Sequence, residues 1–143
     1  MSTVFSKILA GEIPCHRLYE DDHVLAFLDV GPVARGHCLV IPKEPAVELD
    51  GLSDDAAAAV GRVLPRLVRA VKAATGCDGV NVLQNNGSAA GQAVMHVHFH
   101  LIPRYPVSRA TASKAFRVIW NAGTLTDDDA ADLKQKITAA LRP

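Results

Sequence analysis

The sequence predicts an α+β fold in which helices cover a five-stranded antiparallel sheet. Three observations favour this class. The chain has 143 residues, a length typical of one domain. Five short segments have strand character, and one long amphipathic helix is inserted between the third and fourth of them. A short N-terminal helix and a C-terminal helix complete the predicted architecture.

The first half of the predicted sheet follows the N-terminal helix. The stretch TVFSKILAGEIP has helical apolar spacing and is ended by Gly11 and Pro14. CHRLYED and HVLAFLD then predict two strands of a hairpin, joined at EDDH. The third strand, HCLVIPK, is almost continuously apolar, which favours a central position in the sheet.

The longest helix is predicted over residues 53–75. Ser53 is its expected cap, and two aspartates follow in the first turn, where the helix dipole favours negative charge. Pro65 is expected to kink this helix and Gly76 to close it. GVNVLQN and HVHFHLIPR then predict the fourth and fifth strands, and a final helix is expected over residues 127–141.

The composition argues against several classes of partner. Fifteen Lys and Arg balance fifteen Asp and Glu, whereas a nucleic-acid binder usually carries a basic excess. The three cysteines lack a C-x-x-C pair, which favours a reducing compartment over a disulfide framework. Neither a signal peptide nor an apolar run of membrane-spanning length is recognisable. We therefore expect a cytoplasmic protein that binds neither nucleic acid nor a membrane.

The stretch HVHFHLI places His96, His98 and His100 at alternate positions. Successive side chains of a strand point to opposite faces, so the three imidazoles are expected on one face and apolar side chains on the other. We expect the histidine face to border a cleft or solvent, because three adjacent imidazoles are costly to bury. Chance alternation on an exposed strand face is the simplest interpretation of the pattern.

A metal site is a second interpretation. Imidazoles two residues apart on a strand can reach one ion. His96 and His100 lie about 13 Å apart at ~3.3 Å per residue, too far to share an ion readily. No Asp or Glu lies in this stretch, so a further ligand has to come from elsewhere, and His37 is the best candidate.

Nucleophilic catalysis is a third interpretation. A neutral imidazole can attack phosphorus if its other ring nitrogen is held by a hydrogen bond. The preceding loop, NNGSAAGQA, supports phosphate chemistry because Gly87 and Gly91 let main-chain N–H groups approach an anion closely. This loop lacks the Lys and Ser/Thr of a nucleotide P-loop, so it predicts an anion site of another kind.

HVHFHLI fits the H-φ-H-φ-H-φ-φ signature of the histidine triad (HIT) family of nucleotide hydrolases and transferases. FSKILAGEIP, YEDDHVLAFLD, GHCLVIPKE, NNG and GQAVMHVHFHLIPR also resemble the Hint-like bacterial members in order and spacing, over residues 3–104. The resemblance implies one HIT-like domain over residues 1–143, with a motif-bearing core at 3–104 and a C-terminal extension at 105–143. It also implies a half-barrel sheet and a homodimer that joins two sheets.

The resemblance implies hydrolysis of purine nucleotide conjugates (AMP or GMP linked to an amine or acyl group) at the α-phosphate. His98 takes the position of the nucleophile, which forms a nucleotidyl-histidine intermediate and then releases a nucleoside monophosphate. His100 takes the position that contacts the phosphate near the leaving group, and His96 and His37 resemble supports of the nucleophile. No metal or organic cofactor is implied. A dinucleoside polyphosphate hydrolase and a nucleotide-binding regulatory protein with incidental catalysis are the alternatives.

Further positions match the nucleotide contacts of the family. A carboxylate suits the ribose position, since it can accept hydrogen bonds from two vicinal hydroxyls. The apolar residues at the purine positions are equally typical of an ordinary hydrophobic core. The matching positions are Asp29 for the ribose, Phe5, Ile8 and Phe27 for the purine, and Asn85, Gly91 and Gln92 for the phosphate and leaving group.

Two departures from the family pattern carry expectations of their own. Ala93 stands where many members have Ser or Thr, so only its main-chain N–H can meet the phosphate. Thr3, Ser6 and Pro45 stand where some relatives bind a structural zinc, so we expect no such metal. The extension, with Trp120, is expected to pack on the core, on a dimer partner or near the mouth of the active site.

Overall fold

The computed structural model of the chain describes residues 2–105 and 120–141 and confirms the α+β class. Within these residues every predicted element is found, with shorter bounds for the strands. The strands are β1 (Arg17–Glu20), β2 (Val24–Leu28), β3 (Cys38–Pro42), β4 (Gly79–Gln84) and β5 (Phe99–Arg104). The α-helices are α1 (Val4–Leu9), α2 (Asp54–Thr75) and α3 (Asp127–Leu141), with 3₁₀ turns at Leu49–Gly51 and Ser88–Ala90.

The five strands form one antiparallel sheet in the order β1-β2-β3-β5-β4. β3 lies in the middle, and all five of its residues are buried, which confirms the central position predicted from its apolar run. The helix α2 connects β3 to β4, and β5 then returns between them. This order places β5, which carries the last of the three alternating histidines, beside the central strand.

Alternate residues of β2 and β3 supply two separate hydrophobic clusters, one on each face of the sheet. On one face they pack against α2 and α3, and on the other against α1. Because successive side chains of a strand point to opposite faces, the apolar residues of β2 and β3 divide between two core layers. The smaller cluster consists of Phe5, Ile8, Leu25, Phe27, Leu39 and Ile41.

The helix α2 begins and ends as its sequence predicts. The Ser53 hydroxyl accepts a hydrogen bond from the N–H of Ala56 at 3.1 Å, a side-chain cap of the first turn. The helix runs through Pro65 as one element. Gly76 takes the left-handed conformation at φ +65°, which glycine adopts without the steric cost that a Cβ would add.

The fifth strand begins at Phe99, three residues later than predicted. The register with β3 ends at the Val40–Phe99 pair, and the N–H of Val97 donates to the carbonyl of Ala46 instead, at 2.8 Å. Pro42 at the end of β3 has no N–H to continue the ladder. The first two histidines of the motif therefore lie in the segment that leads into the strand.

The described part of the extension, residues 120–141, packs on the sheet-bearing core. α3 contacts α2 and β1, and its Ala130, Leu133 and Ile137 are buried. Arg35 binds Asp132 of the helix with 2.5 Å between Nη2 and Oδ2. None of the helices in residues 2–105 and 120–141 combines the length and apolar character needed to cross a bilayer.

Truncation of Ile137 is expected to destabilise the protein strongly. Ile137 is fully buried in the cluster under α3, so Ile137→Ala is expected to lower the free energy of unfolding by about 3 kcal/mol. Urea denaturation followed by circular dichroism measures this loss. The matched control is Gln135→Ala, an exposed position of the same helix. A loss below about 1 kcal/mol for Ile137→Ala would contradict an integral role of this helix.

Candidate active site

A cavity of about 600 Å³ opens on the face of the sheet that carries α1. Its volume lies in the range typical of small-molecule sites. Nine of the twelve predicted site residues line this cavity, and the other three, His37, His96 and Gln92, are buried. The nine are Phe5, Ile8, Phe27, Asp29, Asn85, Gly91, Ala93, His98 and His100.

Strand register brings the deepest of these side chains together. Phe27 of β2 pairs with Leu39 of β3, and Leu39 pairs with His100 of β5. Paired residues of adjacent strands share a face, so the three side chains form one row across the sheet. Asp29 directly follows β2, two positions beyond Phe27, and its N–H donates to the carbonyl of His37 at 2.9 Å.

The ring of His98 is held in one tautomer by the main chain. Its Nδ1 lies 2.7 Å from the carbonyl oxygen of His96. A carbonyl can only accept, so Nδ1 carries the proton and Nε2 carries a lone pair. Among the described residues, Nε2 of His98 has no hydrogen-bond partner. Burial lowers the pKa of His98, which favours the neutral ring.

A chain of three hydrogen-bonding groups fixes His100 in the opposite tautomer. The N–H of Val33 donates to Nδ1 of His37 at 3.0 Å, so the proton of His37 is on Nε2. That nitrogen lies 2.9 Å from Nδ1 of His100. Nδ1 of His100 is therefore an acceptor, and its proton is on Nε2. His98 and His100 thus offer a lone pair and an N–H donor side by side, with ring centroids 4.9 Å apart.

His37 and His100 are both kept neutral by burial. Desolvation, with a smaller contribution from Arg104, lowers the pKa of His37 to about 4. Desolvation, with smaller contributions from His98 and His37, lowers the pKa of His100 to about 3. At neutral pH this pair donates and accepts hydrogen bonds without carrying a positive charge.

The expectation that the histidine face borders a cleft is confirmed for His98 and His100, which line the cavity. The expected cost of burying three imidazoles and the role expected for His37 require correction. All three motif rings are buried, at 4%, 4% and 6% exposure for His96, His98 and His100. Burial is tolerated because each ring has a hydrogen-bond partner, that of His96 being the carbonyl of Pro42 at 2.8 Å. The ring of His37 contacts His100 rather than His98, and the support of the nucleophile position comes from the main chain of His96.

Asp29 keeps part of its carboxylate available in the cavity. Its Oδ1 accepts from the N–H of Gly31 at 2.8 Å, and its Oδ2 lies 3.5 Å from Nε2 of His37. The side chain is 19% exposed. A carboxylate has about four acceptor positions, so capacity for two ligand hydroxyls is left.

The apolar residues predicted for the purine are both core and cavity wall. Phe5 packs edge-on against Phe27, with ring centroids 5.7 Å apart, and against His98 at 5.1 Å. Phe5, Ile8 and Phe27 belong to one hydrophobic cluster and also line the cavity. The two interpretations of these positions are therefore compatible.

The loop before the histidines differs from expectation at Gln92. The Gln92 side chain accepts from the N–H of Gly87 at 2.7 Å and donates to the carbonyls of Val47 and Val94 at 2.6 and 3.0 Å. Both the oxygen and the nitrogen of the Gln92 amide are therefore bonded within the loop. This arrangement does not support the predicted contact of the Gln92 side chain with the phosphate or leaving group. The N–H groups of Ala93 and Val94 have no partner among the described residues, and both residues line the cavity.

The structure supplies the carboxylate that the metal interpretation lacked. Donor atoms of Asp29, His37 and His100 all lie within 4.8 Å of one another. Their hydrogen bonds oppose metal binding, however. A metal would need a lone pair at Nε2 of His37, whereas the Val33 N–H at Nδ1 leaves the proton on Nε2. Thr3 and Ser6 stand at two of the positions where some relatives bind a structural zinc. In this chain their side chains form the reciprocal hydrogen bonds that cap the N-terminus of α1.

Trp120 is a cavity residue that the sequence did not assign to the site. It lines the cavity together with Ala122, and its ring lies 4.8 Å from His100 and 5.7 Å from His37, centroid to centroid. The expectation that the extension reaches the mouth of the site is therefore correct for this residue. No local pattern predicts such a contact, because twenty residues separate Trp120 from His100.

Comparison with known proteins places these features in a family. The HIT domain family matches residues 10–107 of the chain. The Schizosaccharomyces pombe protein named adenosine 5′-monophosphoramidase hnt1 is 52% identical over 104 residues, which cover 73% of this chain and 75% of that protein. The Arabidopsis thaliana protein named adenylylsulfatase HINT3 is 44% identical over 114 residues, which cover 80% of this chain and 58% of that protein.

A solved structure shares the fold over almost the whole chain. It is the crystal structure of a HIT-like protein involved in cell-cycle regulation from Bartonella henselae. The two chains are 36% identical, with a TM-score of 0.83, and the match covers 97% of this chain and 96% of that one.

The buried histidines are expected to make stability depend on pH. His37 and His100 have pKa values of about 4 and 3 in the folded state, against ~6.5 in an unfolded chain. Below pH ~6.5 the unfolded state therefore binds more protons, so the free energy of unfolding falls as the pH falls. Urea denaturation is expected to show a loss of about 3 kcal/mol between pH 6.5 and 5, roughly half from each histidine.

The variant His100→Gln is the control for this dependence, because it removes one of the buried histidines whose pKa is lowered. We expect a shallower dependence of the unfolding free energy on pH in this variant. Equal slopes for the two proteins between pH 6.5 and 5 would contradict a neutral, buried His100.

Proposed function

This chain belongs to the HIT domain family, and we propose that it is a nucleotide hydrolase whose substrates are purine nucleoside 5′-phosphoramidates and related adenylated amines or acyl groups. Cleavage at the α-phosphate releases a nucleoside monophosphate. Two relatives support this substrate class by their names, adenosine 5′-monophosphoramidase and adenylylsulfatase. Both names describe hydrolysis of a group joined to adenosine 5′-monophosphate.

The observation that carries the proposal is the tautomer of His98. Its Nδ1–H is bound to the carbonyl of His96 at 2.7 Å, so the lone pair of Nε2 is available in a ring that lines the cavity. In the proposed first step this lone pair forms a bond to the α-phosphorus while the bond from phosphorus to the leaving group breaks. The imidazole becomes a cationic nucleotidyl-histidine, and the carbonyl that accepts from Nδ1–H stabilises its positive charge.

In the proposed second step, water attacks the same phosphorus. A new bond to the water oxygen forms and the bond from phosphorus to Nε2 breaks, which returns His98 to its neutral state and releases the nucleoside monophosphate with the water's oxygen. The leaving group of the first step takes up one proton from the solvent, and the attacking water releases one proton to the solvent in the second step, so the overall reaction adds one water across the bond from phosphorus to the leaving group. Neither step requires a change in the hydrogen bond between Nδ1 and the carbonyl.

His100 is proposed to bind the phosphate through Nε2–H. The hydrogen bond from His37 keeps the proton of His100 on that nitrogen, and the lowered pKa of His100 keeps the ring neutral. A fixed donor beside the nucleophile stabilises charge on the phosphoryl oxygens without moving during the reaction. The N–H groups of Ala93 and Val94 are proposed as further donors from the loop.

The nucleoside is proposed to lie between α1 and the sheet. Asp29 accepts from the ribose hydroxyls, and the purine packs on Phe5, Ile8 and Phe27, which form an apolar wall beside His98. We also propose that the chain forms one domain and a homodimer, as the family resemblance implies. The packing of α3 on α2 and β1 supports the single domain.

Replacement of His98 is the sharpest test of the proposed chemistry. His98→Ala is expected to lower kcat on adenosine 5′-phosphoramidate by about 10³-fold or more, because no other group can form the covalent intermediate. AMP binding, measured by calorimetry, is expected to persist. The matched control is His23→Ala, an exposed histidine in the turn before β2, which is expected to retain wild-type turnover.

Rapid quenching of the wild-type reaction and mass spectrometry are expected to show one added nucleotidyl group on the peptide that contains His98. Turnover by His98→Ala at the wild-type rate would contradict the assignment of the nucleophile. Faster hydrolysis of a diadenosine polyphosphate than of the phosphoramidate would favour the alternative substrate class. Tight AMP binding with negligible turnover of either compound would favour a regulatory protein.

A further inference from the structure

The loop of residues 29–37, between β2 and β3, connects the candidate active site to the helix α3. Within this loop the N–H of Val33 donates to Nδ1 of His37 at 3.0 Å. This bond leaves the proton of His37 on Nε2, which lies 2.9 Å from Nδ1 of His100. Two residues after Val33, the side chain of Arg35 reaches α3. The tautomers of both histidines therefore depend on how this loop is held.

Arg35 occupies a central position of a four-residue turn that ends at His37. The N–H of His37 donates to the carbonyl of Ala34 at 3.0 Å, the hydrogen bond that closes such a turn. The other central residue, Gly36, has φ +93°, and a Cβ at this position would lie 2.7 Å from a methyl carbon of Thr75. The backbone positions of Arg35 and His37 are thus coupled through one closed turn that meets the end of α2.

The rest of the loop is held by hydrogen bonds rather than by burial. None of residues 30–35 is buried, so contacts with other segments determine where this part of the chain lies. The N–H of Gly123 donates to the carbonyl of Pro32 at 2.7 Å, and the N–H of Leu125 donates to the carbonyl of Val30 at 3.2 Å. Both of these bonds hold the first half of the loop, before the turn.

Arg35 provides the contacts of the second half, through its main chain and its side chain. The hydroxyl of Tyr105 donates to the carbonyl of Arg35 at 2.5 Å. Nη2 of Arg35 lies 2.5 Å from Oδ2 of Asp132, and Nε lies 3.4 Å from Oδ1 of Asp129. The two aspartates are three residues apart on α3 and so share one face of the helix. The Arg35 side chain is 38% exposed, and exposed ion pairs of this kind add little to global stability.

We propose that Arg35 is a positioning residue for His100. Its ion pairs with the two aspartates hold the turn against α3. The turn in this position presents the N–H of Val33 to His37, and the proton of His37 then points to Nδ1 of His100. The helix α3 thereby acts on the tautomer of His100 without touching a substrate. The effect expected on activity rests on the proposed function, in which His100 binds the phosphate, whereas the effect on the tautomers does not.

Nuclear magnetic resonance of the variant Arg35→Ala tests the proposal without any substrate. Long-range ¹H–¹⁵N correlation spectra at pH 7 are expected to show Nδ1 of His37 shifted toward the protonated value, because the Val33 N–H no longer holds that nitrogen bare. Nδ1 of His100 is expected to shift in the same direction. Hydrogen exchange of the Val33 amide is expected to be about fivefold faster, the factor that corresponds to a well-formed exposed ion pair.

Two further variants separate the proposed contact from a general effect on α3. Asp132→Asn keeps Arg35 and is expected to produce the same changes by a smaller factor, because Asp129 remains. Combined with Arg35→Ala it is expected to add nothing, since the two residues act through one contact. The matched control is Lys136→Ala, which removes the other ion pair of Asp132, at 3.1 Å, and is expected to leave the spectra unchanged.

Turnover of adenosine 5′-phosphoramidate provides the second readout. Arg35→Ala is expected to lower kcat by about fivefold, because part of the population no longer offers the N–H of His100 to the phosphate. Arg35→Lys keeps a cation that can pair with one aspartate and is expected to retain more than about half of the wild-type kcat. Lys136→Ala is expected to retain the wild-type value.

Three results would overturn the inference. Wild-type shifts of His37 and His100 in folded Arg35→Ala would show that the ion pairs do not set the tautomers; if that variant does not fold, the same result in Asp132→Asn decides. Equal changes in Lys136→Ala would assign the effect to the charge of α3 in general. Additive effects of Arg35→Ala and Asp132→Asn would show that the two residues act separately. Failure of the wild-type protein to cleave the phosphoramidate would contradict the proposed function, whereas the spectra would still decide the inference.

Discussion

The hydrogen bond from Nδ1 of His98 to the main-chain carbonyl of His96 is the constraint on which the site depends. It is a contact between residues two apart, 2.7 Å long and buried. A main-chain carbonyl cannot donate a proton or change its protonation state, so it selects one tautomer of the ring at every pH at which that ring is neutral. Burial lowers the pKa of His98 and extends that range toward acid. The lone pair at Nε2 is a consequence of both effects.

The late start of β5 makes this contact possible. Were the strand to begin at His96, as the alternation of residues suggests, the main chain would be committed to ladder bonds with β3. Instead the ladder stops at Phe99. Pro42 then accepts from the ring of His96, and Val97 bonds to Ala46. Because residues 96–98 lie outside the ladder, the carbonyl of His96 is free to accept a hydrogen bond from the ring of His98.

Much of the fold could be predicted because its signals are local. Ser53 and Gly76 bound α2 through contacts within one turn, and the apolar run of β3 reflects burial on both faces. The motif and the family resemblance predicted residues that the structure places in or beside one cavity, but they did not predict the contacts among these residues. The pairing of His37 with His100 joins residues 63 positions apart, and no periodicity reports such a pair. The role of Gln92 as a brace of the loop and the approach of Trp120 likewise depend on tertiary geometry.

The tautomer of His98 can be measured directly. In long-range ¹H–¹⁵N correlation spectra at pH 7, each imidazole nitrogen reports whether it carries a proton. The hydrogen bonds predict a protonated Nδ1 and a bare Nε2 for His98, with the reverse pattern for His100. A proton on Nε2 of His98, or a fully protonated ring at that pH, would leave no lone pair for attack on phosphorus and would contradict the account.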